Sequence, residues 1–434
     1  MTTDKARKRA VRSRMQKTGE RYAAARANVV ADRVTAGPSS TAGRDPAGIH
    51  PETAAMRVVA AAAGVRDPAT GAAPSEELLF VVAGGVGAGV FAFQYPDAST
   101  LFLNGRHGLD DSRGFVVGGL ERLGLSVEVR ETSGPAAARR NLAEALDAGP
   151  AIAWCDSVEL GTRGLPPTMS GGGYHVVTVL AADDADGTVT IADLRGGPEL
   201  IDAERFARAR ARIAKDRNRV AWVVGCSPVD LDRAVRAGLA ATVAELRNPR
   251  TGSFGIEAFR RLADRMTART GREAWTSAFP PGRRLGGALR SLYEYIEMYG
   301  TGGGLMRPMY ARGLGDAARI TGDARLATIA GRYAELGRRW SEVAAAALPA
   351  DVAVFDAMRR ELDDRLRRYM DGASAEELAA GWTRLGALEA SLDGAFPLSE
   401  AAVRDLLGRL SARLDEIADL EAAALDELEA AAGD

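Results

Sequence analysis

His175 and Asp193 are the residues in this chain whose types and spacing could do chemistry together. The run Gly171-Gly172-Gly173-Tyr174-His175-Val176-Val177-Thr178-Val179 puts a histidine at the start of an apolar, β-branched strand. Thr188-Val189-Thr190-Ile191-Ala192-Asp193 ends a second strand on a carboxylate, 18 residues after the histidine, which leaves room for two strands and a turn. A hairpin would bring the two side chains together. In a cysteine-nucleophile site such a carboxylate fixes the tautomer and orientation of the imidazole, and the imidazole holds a thiol as thiolate. The pair therefore reads as two thirds of a site whose thiol has to be found elsewhere. His50 and Glu52 join the candidate list because they flank the start of a helix, where free amide hydrogens and positive potential favour an oxyanion or a thiolate.

These residues sit within a longer pattern, roughly Ile49 to Val224, that resembles the N-terminal domain of the butirosin biosynthesis protein H family. The resemblance rests on His50-Pro51-Glu52-Thr53-Ala54, Ser75-Glu76-Glu77-Leu78-Leu79, the glycine run Gly84 to Gly89, and the His175 strand. It implies a papain-like α+β domain with a mixed or antiparallel sheet, and an acyltransferase that moves an acyl group from the phosphopantetheine of a carrier protein onto a small-molecule amine. In that family the segment reads histidine-cysteine-glutamate, with the cysteine as nucleophile; here that position is Pro51, which can neither attack nor donate. His50, Glu52, His175 and Asp193 still match. Two functions stay open: an acyl-transfer enzyme of specialised, antibiotic-type metabolism with altered or lost activity, and a pseudoenzyme that binds a carrier, peptide or other partner. The second half resembles the uncharacterised helical domain that commonly follows, through Ile296 to Gly304, Arg307, Tyr310 and Trp340.

The elements that must position the candidate residues follow from periodicity. Residues 1–34 form a basic arm of helix, turn and helix; residues 35–48, rich in Pro, Ser, Thr and Gly, form a flexible linker; residues 49–226 form the α+β domain; residues 227–434 form an all-α domain. Glu52 to Ala63 suits a helix closed by Gly64. Leu78 to Val82 and Val90 to Gln94 are apolar stretches around glycines, Phe115 to Leu123 a helix, Ser126 to Arg130 a strand, Ala136 to Asp147 a helix, Ala151 to Cys155 a buried strand, and Ala221 to Val224 the strand that closes the sheet. Ser227-Pro228-Val229-Asp230 reads as a helix start. Ser374-Ala375-Glu376-Glu377 matches a capping box, and Val403, Leu407, Leu410, Leu414 and Ile417 make one apolar stripe.

Other readings compete for some residues. His50, Glu52, His175 and Asp193 could hold a metal, but their spacing matches no compact zinc motif, and no metal or resident cofactor is expected. Cys155 ends a buried strand and Cys226 another, so neither is assigned catalysis; His107 reads as a loop residue. Gly84 to Gly89 does not spell a dinucleotide fingerprint and reads as close backbone packing. Gly300 to Gly304 with Arg307 could form an anion-binding nest.

Composition bounds the rest. At about 150 residues per domain, 434 residues suggest two or three domains. A net charge of −2 gives no global attraction to nucleic acid or anionic membrane. Two cysteines argue against a disulfide framework, and no run approaches the ~18 apolar residues of a membrane span, so no membrane partner and a cytoplasmic location are expected. Locally, Arg205, Arg208, Arg210, Arg212, Lys215, Arg217 and Arg219 form a cationic cluster suited to an acidic acyl carrier protein. The arm, with only Tyr22 available to stack bases, could bind phosphate backbones nonspecifically or engage another protein.

Overall fold

A computed structural model describes residue 15 and residues 48–432, except 95–98, 272 and 299. The expectations for the basic arm and, Gly48 apart, for the linker lie outside the described residues.

The first helix after residue 48, α1 (Pro51–Ala62), starts on the one residue type that loses nothing at a helix's first position, because that amide would have no intrahelical partner anyway. Ala55, Met56, Val59 and Ala60 form its buried stripe. Gly64, at φ +90°, ends it as expected: the Val65 amide reaches back to the Ala60 carbonyl at 3.0 Å. The apolar stretch that follows is a helix, α2 (Glu76–Ala83), whose start is capped by Ser75 Oγ accepting the Leu78 amide at 3.0 Å. A short apolar run carries no period of its own, and the cap settles it.

Next come the antiparallel hairpin β1 (Val86–Gln94) and β2 (Ser99–Arg106), then α3 (Ser112–Arg122), β3 (Leu125–Arg130), α4 (Pro135–Ala148), β4 (Ala151–Asp156) and α5 (Ser157–Leu160). The segment closes with β5 (Tyr174–Asp183), β6 (Thr188–Ala192), β7 (Pro198–Asp202), α6 (Ala203–Arg212) and β8 (Val220–Cys226). The hairpin is a sheet by itself; the other six strands form one antiparallel sheet in the order β3-β8-β4-β5-β6-β7. This is the α+β, papain-like architecture expected. One strand differs from the reading: Ala221 to Val224 does not close the sheet at an edge but lies inside it, between β3 and β4.

The rest is helical: α7 (Leu231–Arg247), α8 (Glu257–Thr267), α9 (Trp275–Ala278), α10 (Arg283–Glu297), α11 (Arg307–Thr321), α12 (Ala324–Ala347), α13 (Ala353–Met370), α14 (Ala375–Ser391) and α15 (Glu400–Ala432). α7 begins at Leu231, so Asp230 rather than Ser227 precedes the helix; the Ser227 amide instead donates to Gly124 O at 2.8 Å. The capping box at α14 is formed, with the Ser374 amide on Glu377 Oε2 at 2.8 Å and the Glu377 amide on Ser374 Oγ at 3.2 Å. The α15 stripe from Val403 to Ile417 is buried. No described helix is long and apolar enough to cross a membrane.

The chain divides into two compact units that are not consecutive stretches. The first holds residues up to 79, 116–231 and 369–379, with the six-stranded sheet; the second holds 80–115, 232–368 and 380–434, with the hairpin and most of the helices. In the first unit α4 and α6 cover one sheet face through Leu142, Leu146, Phe206 and Ala209, and Val58 of α1 packs on Leu180, Ala181 and Ala192. In the second unit the glycines around β1 permit close packing as expected: a Cβ on Gly87 would lie 2.3 Å from the Arg106 carbonyl oxygen.

Candidate active site

β5 and β6 are adjacent and antiparallel, with Thr178 opposite Ala192 and Val179 opposite Ile191. Because side chains alternate along a strand, this register puts His175 and Asp193 on one sheet face at one end of the pair. His175 Nε2 lies 2.9 Å from each Asp193 carboxylate oxygen. The same carboxylate accepts the Leu194 amide at 2.7 Å and the Tyr369 hydroxyl at 3.1 Å, and Arg163 Nη2 stands 3.5 Å from its Oδ1. Arg163 Nη2 is also 3.2 Å from His175 Nε2. The carboxylate fixes that nitrogen as the protonated one, since only Nε2–H can donate to Asp193; Arg163, which has donors only, then pairs with the carboxylate rather than with Nε2. Nδ1, which bonds to no described residue, is then the basic nitrogen of the neutral ring.

Burial alone would raise the Asp193 carboxyl, but the charges of His175 and Arg163 and the hydrogen bonds from His175 and Leu194 outweigh it and hold the group well below the usual carboxylate range. A group held lower in the folded than in the unfolded chain adds stability that is complete above its unfolded value, near 3.8, and is lost as pH falls through the folded one. Urea midpoints of the native protein are therefore expected to drop more steeply than those of Asp193→Asn as pH is lowered from 6 to 3; parallel slopes would contradict the assignment.

His50 and Glu52 meet each other, with His50 Nε2 3.4 Å from Glu52 Oε2. The start of α1 is held by Glu76, which accepts the Ile49 amide at 3.1 Å, the His50 amide at 3.2 Å and the Thr53 hydroxyl at 3.1 Å. A carboxylate suits that position because it answers amides that the helix cannot satisfy itself. Burial raises the Glu76 carboxyl, opposed by Arg57 and by those hydrogen bonds. The two pairs are joined through Leu194, next to Asp193: the Gly48 amide donates to Leu194 O at 2.7 Å, and Ala54 of α1 packs with Leu194 and Tyr369. Gly48 has no room for a side chain, because a Cβ there would lie 2.9 Å from Ala54 Cβ and 3.0 Å from Leu194 Cδ2. The body of α1 lies over the other sheet face, however, against Leu180 and Ala181. The imidazole shares its face with Cys155, its direct partner in the β4–β5 register.

That proximity does not make Cys155 reactive. It is packed with Val177, Phe206 and Ala209, and burial, reinforced by the Asp193 charge, pushes its thiol far above the ordinary range against the smaller pull of Arg163 and Arg210. Cys226 is exposed, with its thiol on Ser227 O. His107 belongs to the second unit, where its amide donates to Gly85 O at 2.9 Å. No group of three or more His, Cys, Asp or Glu side chains among the described residues is arranged to hold a metal ion.

Two sequence readings change. Arg307 is not part of an anion nest: it is fully buried, its Nε lies 2.6 Å from Glu421 Oε1, and its other nitrogens donate to the carbonyls of Gly87, Gly105 and Leu305. The cationic cluster is also partly structural. Arg210 is buried and donates to Asn218 O at 2.7 Å, and Arg219 pairs with Glu131 and Asp216, while Arg205, Arg208, Arg212, Lys215 and Arg217 stay exposed. Sequence reasoning missed Arg163 and Tyr369 as companions of Asp193. Arg163 stands in an irregular segment with no period, and Tyr369 is 176 positions away.

Two family models match the chain. Residues 50–194 match the family described as Butirosin biosynthesis protein H, N-terminal, and residues 204–371 match the domain of unknown function DUF4872. The chain thus carries a butirosin biosynthesis protein H-type N-terminal domain followed by DUF4872. A search of curated proteins returned no match.

Proposed function

We propose that this protein is an acyltransferase-like member of a biosynthetic system, in which His175 acts as a general base on an amine acceptor and no covalent acyl-enzyme forms. The observation that carries the reading is the His175–Asp193 pair: Nε2 is committed to the carboxylate, and Nδ1 is left to take a proton. In the proposed step the amine nitrogen attacks the thioester carbonyl of an acylated carrier. Its proton passes to Nδ1, the carbon–sulfur bond breaks, and the imidazolium returns the proton to the departing pantetheine thiolate. Amide and free thiol are the products. Pro51 supports the direct route, because it stands at the position the family resemblance gives to the nucleophile and has nothing to attack with. The donor fits an acidic carrier protein: exposed Arg208, Lys215 and Arg217 lie on or just after α6, whose Arg212 donates to Ser170 O at 3.0 Å, and Lys215 stands 4.1 Å over the Tyr174 ring beside His175.

One observation favours a second reading, a carrier-binding pseudoenzyme: no described cysteine is both near His175 and reactive. The experiment is to incubate the protein with acylated carrier protein and candidate amines and to follow both by intact mass. Amide formation supports the enzyme; carrier binding without turnover supports the binding module; neither overturns both. Pro51→Cys adds an independent result. It puts a thiol at the first position of α1, where free amides favour thiolate, and a +acyl mass on the variant but not on the native chain is expected. An unmodified variant would contradict an inherited acyl pocket at that helix.

A further inference from the structure

We infer that Tyr369, in the segment matched to DUF4872, is a positioning residue of the His175–Asp193 site, so that the domain of unknown function completes the chemistry of the domain before it. The inference rests on the reading of that pair as catalytic, but its geometry stands alone. Tyr369 is the penultimate residue of α13, yet residues 369–379 belong to the first unit, with the sheet. Its hydroxyl donates to Asp193 Oδ2 at 3.1 Å, both groups being buried.

The segment is fastened there at several points. Tyr369 packs with Ala54, Leu194 and Leu378; Arg163 lies 5.0 Å and Arg195 5.3 Å from its ring centroid, within cation–π range on a buried aromatic. Arg195 Nη1 donates to Ala373 O at 3.2 Å. Gly164, at φ +59°, approaches so closely that a Cβ there would lie 2.3 Å from Ala375 O. A close approach of this kind is specified on both sides, by a glycine beside Arg163 and by the turn that ends on the α14 capping box.

The physical role follows from the valence of the carboxylate. Asp193 receives His175 Nε2–H, the Leu194 amide and the Tyr369 hydroxyl. The amide comes from the adjacent residue and cannot by itself fix the carboxylate's rotation, whereas a hydroxyl from a distant, packed ring can. Without it the carboxylate can swing toward Arg163, and the imidazole loses the partner that holds its tautomer.

The test is NMR on the full chain with labelled histidine, the His175 signals being assigned through His175→Ala. In Tyr369→Phe, which keeps the ring and its cation–π partners, the His175 Nε2 proton is expected to exchange with solvent at least about fivefold faster, as the loss of one hydrogen bond of roughly 1 kcal/mol predicts. Exchange unchanged in a folded variant would overturn the inference. Should Tyr369→Phe not fold, Asp193→Asn reads the same bond from the other end: the Cζ signal of labelled Tyr369 moves if the hydroxyl bonds the carboxylate, and an unmoved signal overturns the assignment. Neither measurement needs turnover. A chain that transfers no acyl group would end the proposed function while leaving Tyr369 to be judged on these signals.

Discussion

His175→Ala is expected to lower acyl transfer about 10²–10⁴-fold, the range that a positioned general base contributes, while leaving carrier binding within about twofold. On the proposed mechanism the loss falls on the chemical step, because Nδ1 would take the proton during attack and would have no part in holding the carrier. Asp193→Asn should cost nearly as much for a different reason. An amide in the carboxylate's place can present its NH₂ to Nε2, and the ring then carries its proton on Nδ1, which removes the base. Single-turnover rates with saturating acylated carrier measure both. Transfer by His175→Ala at the native rate would show that the imidazole is a structural group.

Arg307→Ala is expected to be the most damaging single substitution in the helical half, costing about 3–5 kcal/mol, the usual result of removing one partner of a buried ion pair. Glu421 is fully buried and accepts from both Arg307 Nε, at 2.6 Å, and Trp340 Nε1, at 3.1 Å. Truncation leaves that carboxylate with the Trp340 donor and takes the guanidinium's hydrogen bonds from the carbonyls of Gly87, Gly105 and Leu305. A large shift in urea midpoint is the expected reading. Arg307→Met with Glu421→Leu should recover much of it, since an apolar pair of similar volume avoids the buried charge. An unchanged urea midpoint in Arg307→Ala would contradict a stabilising role for the buried Arg307–Glu421 pair.

Periodicity and punctuation made most elements legible. The α1 helix with its terminal Gly64, the α4 helix between Gly134 and Gly149, and the β4 and β5 strands were readable because each carries a local signal, a cap or a run of alternating or continuous apolar residues. The His175–Asp193 pair was readable because a hairpin is a local contact whose register follows from short spacing. Strand order was not. β8 enters the sheet between strands that precede it by many residues, a choice made by nonlocal packing that no local pattern records. Glu76 and Tyr369 escaped because each acts through a partner distant along the chain, and Arg163 because its irregular segment carries no period. The glycine run before Arg307 looked like a phosphate cradle because such cradles also use small residues and a nearby cation. Only the position of Glu421, 114 residues later, shows that the cation is already taken.

The position of β8 bears on how the chain can be made and divided. β4 meets it through Ala151 to Ala153 and β3 along its whole length, so before residue 226 leaves the ribosome both neighbours present open edges to one another's vacancy. A gene fragment ending at residue 194, where the first family match stops, would lack β7 as well as β8, leaving β3 without a neighbour and β4 and β6 with open edges, and should be recovered as aggregate. The smallest transferable cassette for recombination or fusion therefore runs past the family boundary, through the end of β8 at residue 226.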